Sequence, residues 1–188
     1  MAKLYFKFGV MGSSKTAQAL MTKFNYEQAK ARVLFLKPSI DTRDGKDIVK
    51  SRIGLQAEAE VLSTKDRPLD LMYACSFDVI IIDEAQFLTP AQVEFFKDIA
   101  VFGDVPVICY GLKDDFQTKM FPGSKRLFEL ADSLQEIKMV CDCGRKATVN
   151  ARLVNGKVVT EGEQVFLGGN NEYKAMCYKC WKVRNPLD

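Results

Sequence analysis

The sequence has 188 residues, 47% hydrophobic and 27% charged, which excludes a large multidomain machine, a disordered chain and a fibrous protein. Lys and Arg number 27 and Asp and Glu number 24, so the net charge of +3 does not by itself indicate a nucleic-acid or membrane partner. Histidine is absent, which excludes Ser-His-Asp and Cys-His pairs and leaves acid–base chemistry to carboxylates, lysines, tyrosines or cysteines.

The N-terminus holds an apolar stretch that loosely resembles a signal peptide, but Lys7 interrupts it. No apolar run approaches the roughly 20 residues that cross a bilayer. We therefore predict a cytoplasmic protein with no membrane partner. In that reducing compartment cysteines indicate metal binding or burial rather than disulfides, and Cys75 and Cys109, in apolar surroundings, are predicted core residues.

The first third of the chain predicts a strand, a helix and a second strand. Leu4 to Phe8 forms the first strand, Lys15 to Lys30 the helix and Arg32 to Lys37 a buried parallel strand. Residues 39–56 are polar and charged, and we predict a long mobile loop there.

The middle of the chain continues the alternation of strands and helices. The pattern predicts a buried strand over Phe77 to Asp83, a helix from Pro90 to Phe102 capped by Thr89, a strand over Val105 to Leu112 and a short helix over Ser124 to Leu130. This alternation predicts an α/β fold with a mostly parallel sheet covered by helices.

The pattern changes near residue 138. Residues 1–137 carry 18 basic and 19 acidic groups, whereas residues 138–188 carry 9 and 5. Val149 to Val159 contains the turn signal Asn155-Gly156 between β-forming residues, which predicts a hairpin. We predict a main domain over residues 1–137 and a small β subdomain over residues 138–188.

A phosphate-binding loop of the Walker A type is predicted between the first strand and the first helix, at Gly9-Val10-Met11-Gly12-Ser13-Ser14-Lys15-Thr16. In such a loop small residues let backbone N–H groups face phosphate, a lysine reaches the phosphates and a hydroxyl holds Mg²⁺. Lys15 and Thr16 suit the last two roles. Ser14 stands where glycine is usual, which is costly only if the backbone there needs a positive φ. The alternative is a Gly/Ser turn into an ordinary helix.

An acidic pair, Asp83-Glu84, ends the buried strand. An aspartate at this place completes the Mg²⁺ site of P-loop proteins. Glu84, one residue further, is a candidate base for an attacking hydroxyl or water. The alternative is a solvated strand end.

Two cysteine pairs, Cys141-Asp142-Cys143 and Cys177-Tyr178-Lys179-Cys180, flank the predicted hairpin. Four thiolates around a hairpin are typical of a zinc ribbon, whose metal stabilises a segment too small for its own core. The first pair is separated by one residue rather than the usual two, which leaves the geometry at Cys141 open. Free buried thiols are the alternative.

Together these blocks resemble the type II thymidine kinases, which join a P-loop kinase domain to a zinc-bearing lasso segment. The resemblance covers nearly the whole chain. Besides the P-loop and the cysteines it rests on Lys37-Pro38, Asp41-Thr42-Arg43, Asp83-Glu84-Ala85-Gln86-Phe87, Tyr110-Gly111-Leu112-Lys113-Asp114-Asp115-Phe116, Phe121, Gly168-Gly169 and Tyr173.

The resemblance implies transfer of the ATP γ-phosphate to the 5′-hydroxyl of thymidine or deoxyuridine. Glu84 would be the base, Lys15 and Arg43 would neutralise phosphoryl charge, and Thr16 and Asp83 would hold Mg²⁺. ATP would be bound by residues 9–16 and by Asp83, Glu84, Ala85 and Gln86.

The resemblance also implies which residues contact the nucleoside. They would be Met11, Leu112, Phe116 and Phe121 around the base, and the lasso residues Gln164, Val165, Phe166, Leu167, Gly168 and Tyr173 closing over it. For the apolar members, core packing is the alternative. A homotetramer and feedback binding of thymidine triphosphate are further implications.

Two other functions remain open from the sequence. Asp83-Glu84-Ala85-Gln86 also resembles a helicase motif, and a basic zinc ribbon can bind phosphate backbones, so a nucleic-acid-dependent ATPase is one alternative. The chain is short for such motors, which generally need two nucleotide-binding lobes. A catalytically inactive nucleotide-binding module is the other.

Overall fold

The computed structural model describes residues 1–41, 45, 47–63, 69–164 and 172–184, without the side chain of Glu172. Its strands are β1 Leu4–Phe8, β2 Val33–Pro38, β3 Ile48–Lys50, β4 Gln56–Glu58, β5 Glu60–Leu62, β6 Val79–Ile82, β7 Val107–Gly111, β8 Ser133–Glu136, β9 Val149–Val154, β10 Lys157–Val159 and β11 Glu172–Met176. Its α-helices are α1 Lys15–Gln28, α2 Leu71–Ala74, α3 Pro90–Phe102, α4 Pro122–Leu130 and α5 Tyr178–Arg184.

A six-stranded sheet in the order β5-β2-β6-β7-β1-β8 forms the centre of the fold, and all its strand pairs are parallel. The predicted α/β class with a mostly parallel sheet is confirmed. Because β1 pairs with β7 and β2 with β6, the loops that follow these strands leave the same edge of the sheet, where ligands bind in open α/β folds.

Both faces of the central sheet are buried, and β6 shows why its sequence is continuously apolar. Ile80 and Ile82 belong to a cluster that includes apolar residues of α3 and α4, whereas Val79 and Ile81 pack with residues of α1. A strand buried on both faces needs apolar side chains at every position.

None of the helices in the part of the chain described here is long and apolar enough to cross a membrane.

Helix α3 begins as its sequence predicts. The Thr89 side chain accepts from the Gln92 backbone N–H at 3.2 Å, and the Gln92 side chain accepts from the Thr89 N–H at 3.0 Å. This reciprocal capping box satisfies two backbone donors at the helix start.

Cys109 is buried and Cys75 packs against the same core, which confirms both as core residues.

The long loop predicted over residues 39–56 is wrong in its second half. Strand β3 pairs with β4 in a two-stranded antiparallel ribbon. Val49 is buried against the face of the sheet that carries α1, and the ammonium group of Lys37, itself fully buried, donates to the carbonyls of Gly45 and Ile48. One buried apolar residue and one buried lysine thus order a segment whose charged composition suggested a loop.

The C-terminal part forms a separate antiparallel sheet in the order β10-β9-β11. The predicted hairpin is confirmed: β9 pairs with β10, and Asn155 and Gly156 both have positive φ, as a type I′ turn requires. Strand β11 and helix α5 were not predicted. The apolar cluster of this sheet also takes in Val10, so it packs against the first loop of the central sheet.

Asp132 lies just before the edge strand β8 and contacts both β1 and helix α3. Its ionisation gives a prediction for how stability depends on pH. Its carboxylate accepts from the Leu4 N–H at 2.8 Å and pairs with Lys97, and these contacts hold its pKa below the usual range. Because this pKa is lower in the folded state, ionised Asp132 contributes to the free energy of unfolding above the unfolded pKa of about 4. That contribution is lost as the pH falls through the pKa of the folded state.

We therefore expect Asp132→Asn to lower the free energy of unfolding by about 1 kcal/mol at pH 7, because the group is partly exposed. The difference from wild type should shrink as the pH falls below about 4. Urea unfolding at a series of pH values measures this, and a difference independent of pH would contradict it.

Candidate active site

The loop between β1 and α1 is held by backbone hydrogen bonds, one within the loop and one to the end of β7. The Ser13 N–H donates to the Val10 carbonyl at 3.2 Å, and the Gly9 N–H donates to the Gly111 carbonyl at 3.2 Å. A Cβ on Gly9 would lie 2.4 Å from the Ile137 carbonyl oxygen, so only glycine fits there. The buried Lys15 ammonium donates to the Val10 carbonyl at 2.7 Å and thus lies inside the loop.

Ser14 adopts the conformation that makes it an unusual residue at this position. Its φ is 64°, in the left-handed region where glycine carries no steric cost. Its hydroxyl donates to the Ser13 carbonyl at 2.6 Å and accepts from the Gln18 amide at 3.2 Å. These bonds offset part of the cost of the β-carbon.

Two replacements separate the contributions at Ser14. Alanine keeps the β-carbon and loses the hydrogen bonds, whereas glycine removes the strain. We expect Ser14→Gly to exceed Ser14→Ala in free energy of unfolding by about 1 kcal/mol. Thermal or urea unfolding measures the difference, and equal stability of the two variants would show that the loop relaxes around residue 14.

Asp83 is buried at the end of β6, and the Thr16 side chain lies near enough to its carboxylate to lower its pKa. Burial and the adjacent negative charge of Glu84 raise its pKa to about 7, while the Thr16 hydroxyl and the Lys15 charge act in the opposite direction. The structure therefore brings the two predicted Mg²⁺ ligands together. A desolvated carboxylate beside a hydroxyl fits a divalent cation, whose charge favours the ionised acid.

Glu84 lies one residue further, with a φ of 51° that few residues other than glycine adopt. The Gln86 amide donates a hydrogen bond to its carboxylate. The Gln86 side-chain oxygen accepts from the Leu112 N–H at 3.0 Å. Gln86 therefore joins the end of β6 to the end of β7, and the strained backbone turns Glu84 out of the strand direction.

The loop after β7 carries the residues predicted to enclose a base. Phe116 and Phe121 are buried, Leu112 is partly buried, and the Phe121 ring lies edge-on to Phe87 at 5.7 Å between centroids. Met11, predicted beneath the base, is partly buried in the first loop.

The C-terminal segment reaches the same loop. Gln164 donates to the buried Asp115 carboxylate at 2.8 Å. Tyr173 pairs with Arg152 across β11 and β9, and burial raises the Tyr173 pKa. The Arg152 guanidinium lies 5.1 Å from the centre of the Phe116 ring. Arg43, Val165, Phe166, Leu167 and Gly168, also predicted here, lie outside the described residues.

The four predicted zinc ligands converge. Their sulfur atoms all lie within 4.8 Å of one another, and Cys143 Sγ lies 3.6 Å from Cys177 Sγ. Sulfurs at the corners of a tetrahedral zinc site, with Zn–S of about 2.3 Å, are about 3.8 Å apart. The cluster Cys141, Cys143, Cys177 and Cys180 therefore fits structural zinc.

The short spacing of the first pair is accommodated by a tight turn. The Cys141 N–H donates to the Arg145 carbonyl at 2.7 Å, and Gly144 has a φ of 80°. The nearby backbone N–H groups of Cys143 and Cys177 favour the thiolate of Cys141 and lower its pKa to about 6. Such donors stabilise a thiolate, which is the form that binds zinc.

Three polar residues at the site were missed from the sequence: Asn150, Arg152 and Asp115. Asn150 and Arg152 alternate with apolar residues along β9, a pattern that predicts a solvent-facing side, yet both are buried. Their burial comes from the loop after β7, which packs on that side. No short-range pattern in the sequence could reveal this contact.

Comparison with known proteins gives a consistent result. The family model described as thymidine kinase matches residues 2–181. The chain is 42% identical to a thymidine kinase of Rhodopirellula baltica, over 94% of this chain and 86% of that protein. It is 41% identical to one of Shewanella oneidensis (95% and 96%) and 40% identical to one of Ruegeria pomeroyi (97% and 94%).

A solved structure of Bacteroides Pif1 bound to single-stranded DNA matches 72% of this chain and 38% of that chain, with a TM-score of 0.42 and 15% identity. Similarity this low carries no argument about function. The family match and the relatives of about 41% identity extend over nearly the whole sequence. The chain therefore belongs to the thymidine kinase family.

Proposed function

We propose that this thymidine kinase transfers the ATP γ-phosphate to the 5′-hydroxyl of thymidine, and of deoxyuridine, with Glu84 as the general base. The observation that carries the proposal is the hydrogen-bonded link from Glu84 through Gln86 to Leu112. It ties a carboxylate at the end of β6, directly after Asp83, to the start of the loop proposed to enclose the base. A carboxylate there can accept the proton of the attacking hydroxyl.

The phosphate side of the reaction is electrostatic. Lys15, inside the first loop, is positioned to exchange the Val10 carbonyl for phosphate oxygens and to neutralise the transferring group, together with Arg43. Thr16 and Asp83 would hold Mg²⁺, which when bound offsets charge on the phosphate oxygens. ATP would also contact the backbone of residues 9–16 and the turn from Asp83 to Gln86.

The nucleoside side combines the two sheets. Leu112, Phe116 and Phe121 would enclose the base with Met11, and residues 164–168 with Tyr173 would close over it. The Gln164–Asp115 bond supports this closure, because it ties the start of that segment to the loop after β7. Zinc in the cysteine cluster would hold the ends of the segment. The division into residues 1–137 and 138–188 is part of this proposal.

Because the chain belongs to the thymidine kinase family, we also propose four wider properties. They are a role in pyrimidine salvage for DNA synthesis, a homotetramer, feedback binding of thymidine triphosphate and a cytoplasmic location. The nucleic-acid-dependent ATPase is not favoured, because the matching family model and the relatives of about 41% identity are thymidine kinases.

A kinase assay tests the proposal. Purified, zinc-loaded protein with ATP and Mg²⁺ should phosphorylate thymidine and deoxyuridine, and ATP hydrolysis should not respond to single-stranded DNA. Lys15→Met serves as the control for contaminating kinases. Protein that phosphorylates neither nucleoside would overturn the proposal, and hydrolysis stimulated by single-stranded DNA would support the ATPase alternative.

A further inference from the structure

Asn150 lies where three parts of the protein meet. It is a residue of β9 in the C-terminal sheet, and only 4% of it is exposed. Its side-chain oxygen accepts from the Met11 N–H at 2.7 Å, and its side-chain nitrogen donates to the Asp114 carbonyl at 2.8 Å. One amide group thus joins the first loop, the loop after β7 and the C-terminal sheet.

The chemistry of the partners sets the orientation of this amide. A backbone N–H can only donate and a backbone carbonyl can only accept, so the oxygen of Asn150 must face Met11 and its nitrogen must face Asp114. Both contacts are buried, and water cannot readily replace a lost partner. A planar amide of fixed size therefore holds the two loops at a fixed separation.

The surroundings of the two partners show what this separation controls. Met11 and Phe116 are proposed to contact the base, and Asp114 is two residues before Phe116. Arg152, on the same side of β9 as Asn150, lies against the Phe116 ring. The Met11 N–H donates to Asn150, so this contact fixes the position of Met11.

We infer that Asn150 is a positioning residue for the nucleoside pocket, which sets the distance between Met11 and the Asp114–Phe116 loop from the C-terminal sheet. The inference rests on the proposed function and deepens it. Asn150 contacts no reacting atom in this scheme. Its loss should weaken nucleoside binding more than ATP binding, since the phosphate-facing end of the loop is held separately by the Ser13–Val10 and Gly9–Gly111 bonds.

The test compares Asn150→Leu, which has the same number and branching of heavy atoms but no hydrogen-bonding groups, with Asn155→Gly, a change in the hairpin turn of the same sheet. We expect Asn150→Leu to raise the thymidine KM about tenfold, equivalent to about 1.4 kcal/mol, with the ATP KM changed less than about threefold and zinc content unchanged. Asn155→Gly should match wild type. Equal changes in both KM values, or none, would overturn the inference.

A second measurement does not depend on activity. Hydrogen exchange should become faster in the peptides that contain Met11 and Asp114 to Phe116, and stay unchanged in α3. If the wild type phosphorylates no thymidine but exchange changes in this way, the bridge stands and the proposed function fails. Unchanged exchange at Met11 would overturn the bridge itself. Asn150→Ser, whose shorter side chain has one polar atom in place of the two that contact Met11 and Asp114, replaces Asn150→Leu should that variant not fold.

Discussion

Replacing Glu84 by glutamine should lower kcat by about 10²-fold or more while ATP binding is largely kept. The substitution preserves side-chain size and can still hydrogen-bond to Gln86, so the turn after β6 should keep its conformation. What is lost is the ability to accept a proton from the 5′-hydroxyl. Steady-state kinetics with thymidine and a direct ATP binding measurement together test the prediction.

The matched control is Glu94→Gln, a change of the same chemistry at an exposed residue of α3 that pairs with Arg126. We expect it to leave kcat within about twofold of wild type, because a surface ion pair contributes little. An unchanged rate in Glu84→Gln would remove Glu84 from the role of base. Loss of ATP binding with the rate would instead indicate that Glu84 holds the nucleotide.

The parts of the site that lie close together in sequence could be predicted from it. The strand Leu4–Phe8, apolar or aromatic except at Lys7, leads directly into the loop from Gly9 to Thr16, and the apolar strand Val79–Ile82 leads directly into Asp83. Because parallel strands end at one edge of a sheet, such residues meet whatever the details of packing. Thr16 and Asp83 do so, since the Thr16 side chain acts on the pKa of the Asp83 carboxylate.

Contacts between distant segments could not be predicted in this way. Asn150 is 139 residues from Met11 and 36 from Asp114, and its place in an alternating strand suggested exposure. The ribbon of β3 and β4 was missed because each strand has three residues and only Val49 is buried in β3. The positive φ of Glu84 was also invisible, since it results from the turn after β6 and not from a glycine.

The largest effect outside the reacting groups is expected from the zinc cluster. Cys177→Ser removes one of four converging sulfurs, so zinc content should fall sharply. We expect the thymidine KM to rise by a factor of ten or more, because β9 and β11 would lose the metal that fixes their ends. Metal analysis, kinetics and thermal unfolding are to be measured on the same preparation.

The distribution of the apolar clusters explains why nucleoside binding should fail before the fold does. The C-terminal cluster includes Val10 but no residue of β2, β6 or β7, whose packing involves α1, α3 and α4. Zinc loss should therefore disturb the active site through the contacts of Asn150 and Val10. The central sheet should still unfold in a cooperative transition. Cys75→Ser, a cysteine change outside the cluster, should keep zinc content and the thymidine KM at wild-type values. If Cys177→Ser instead lowers the stability of the whole protein as much as it weakens nucleoside binding, zinc stabilises the entire fold and not only the pocket.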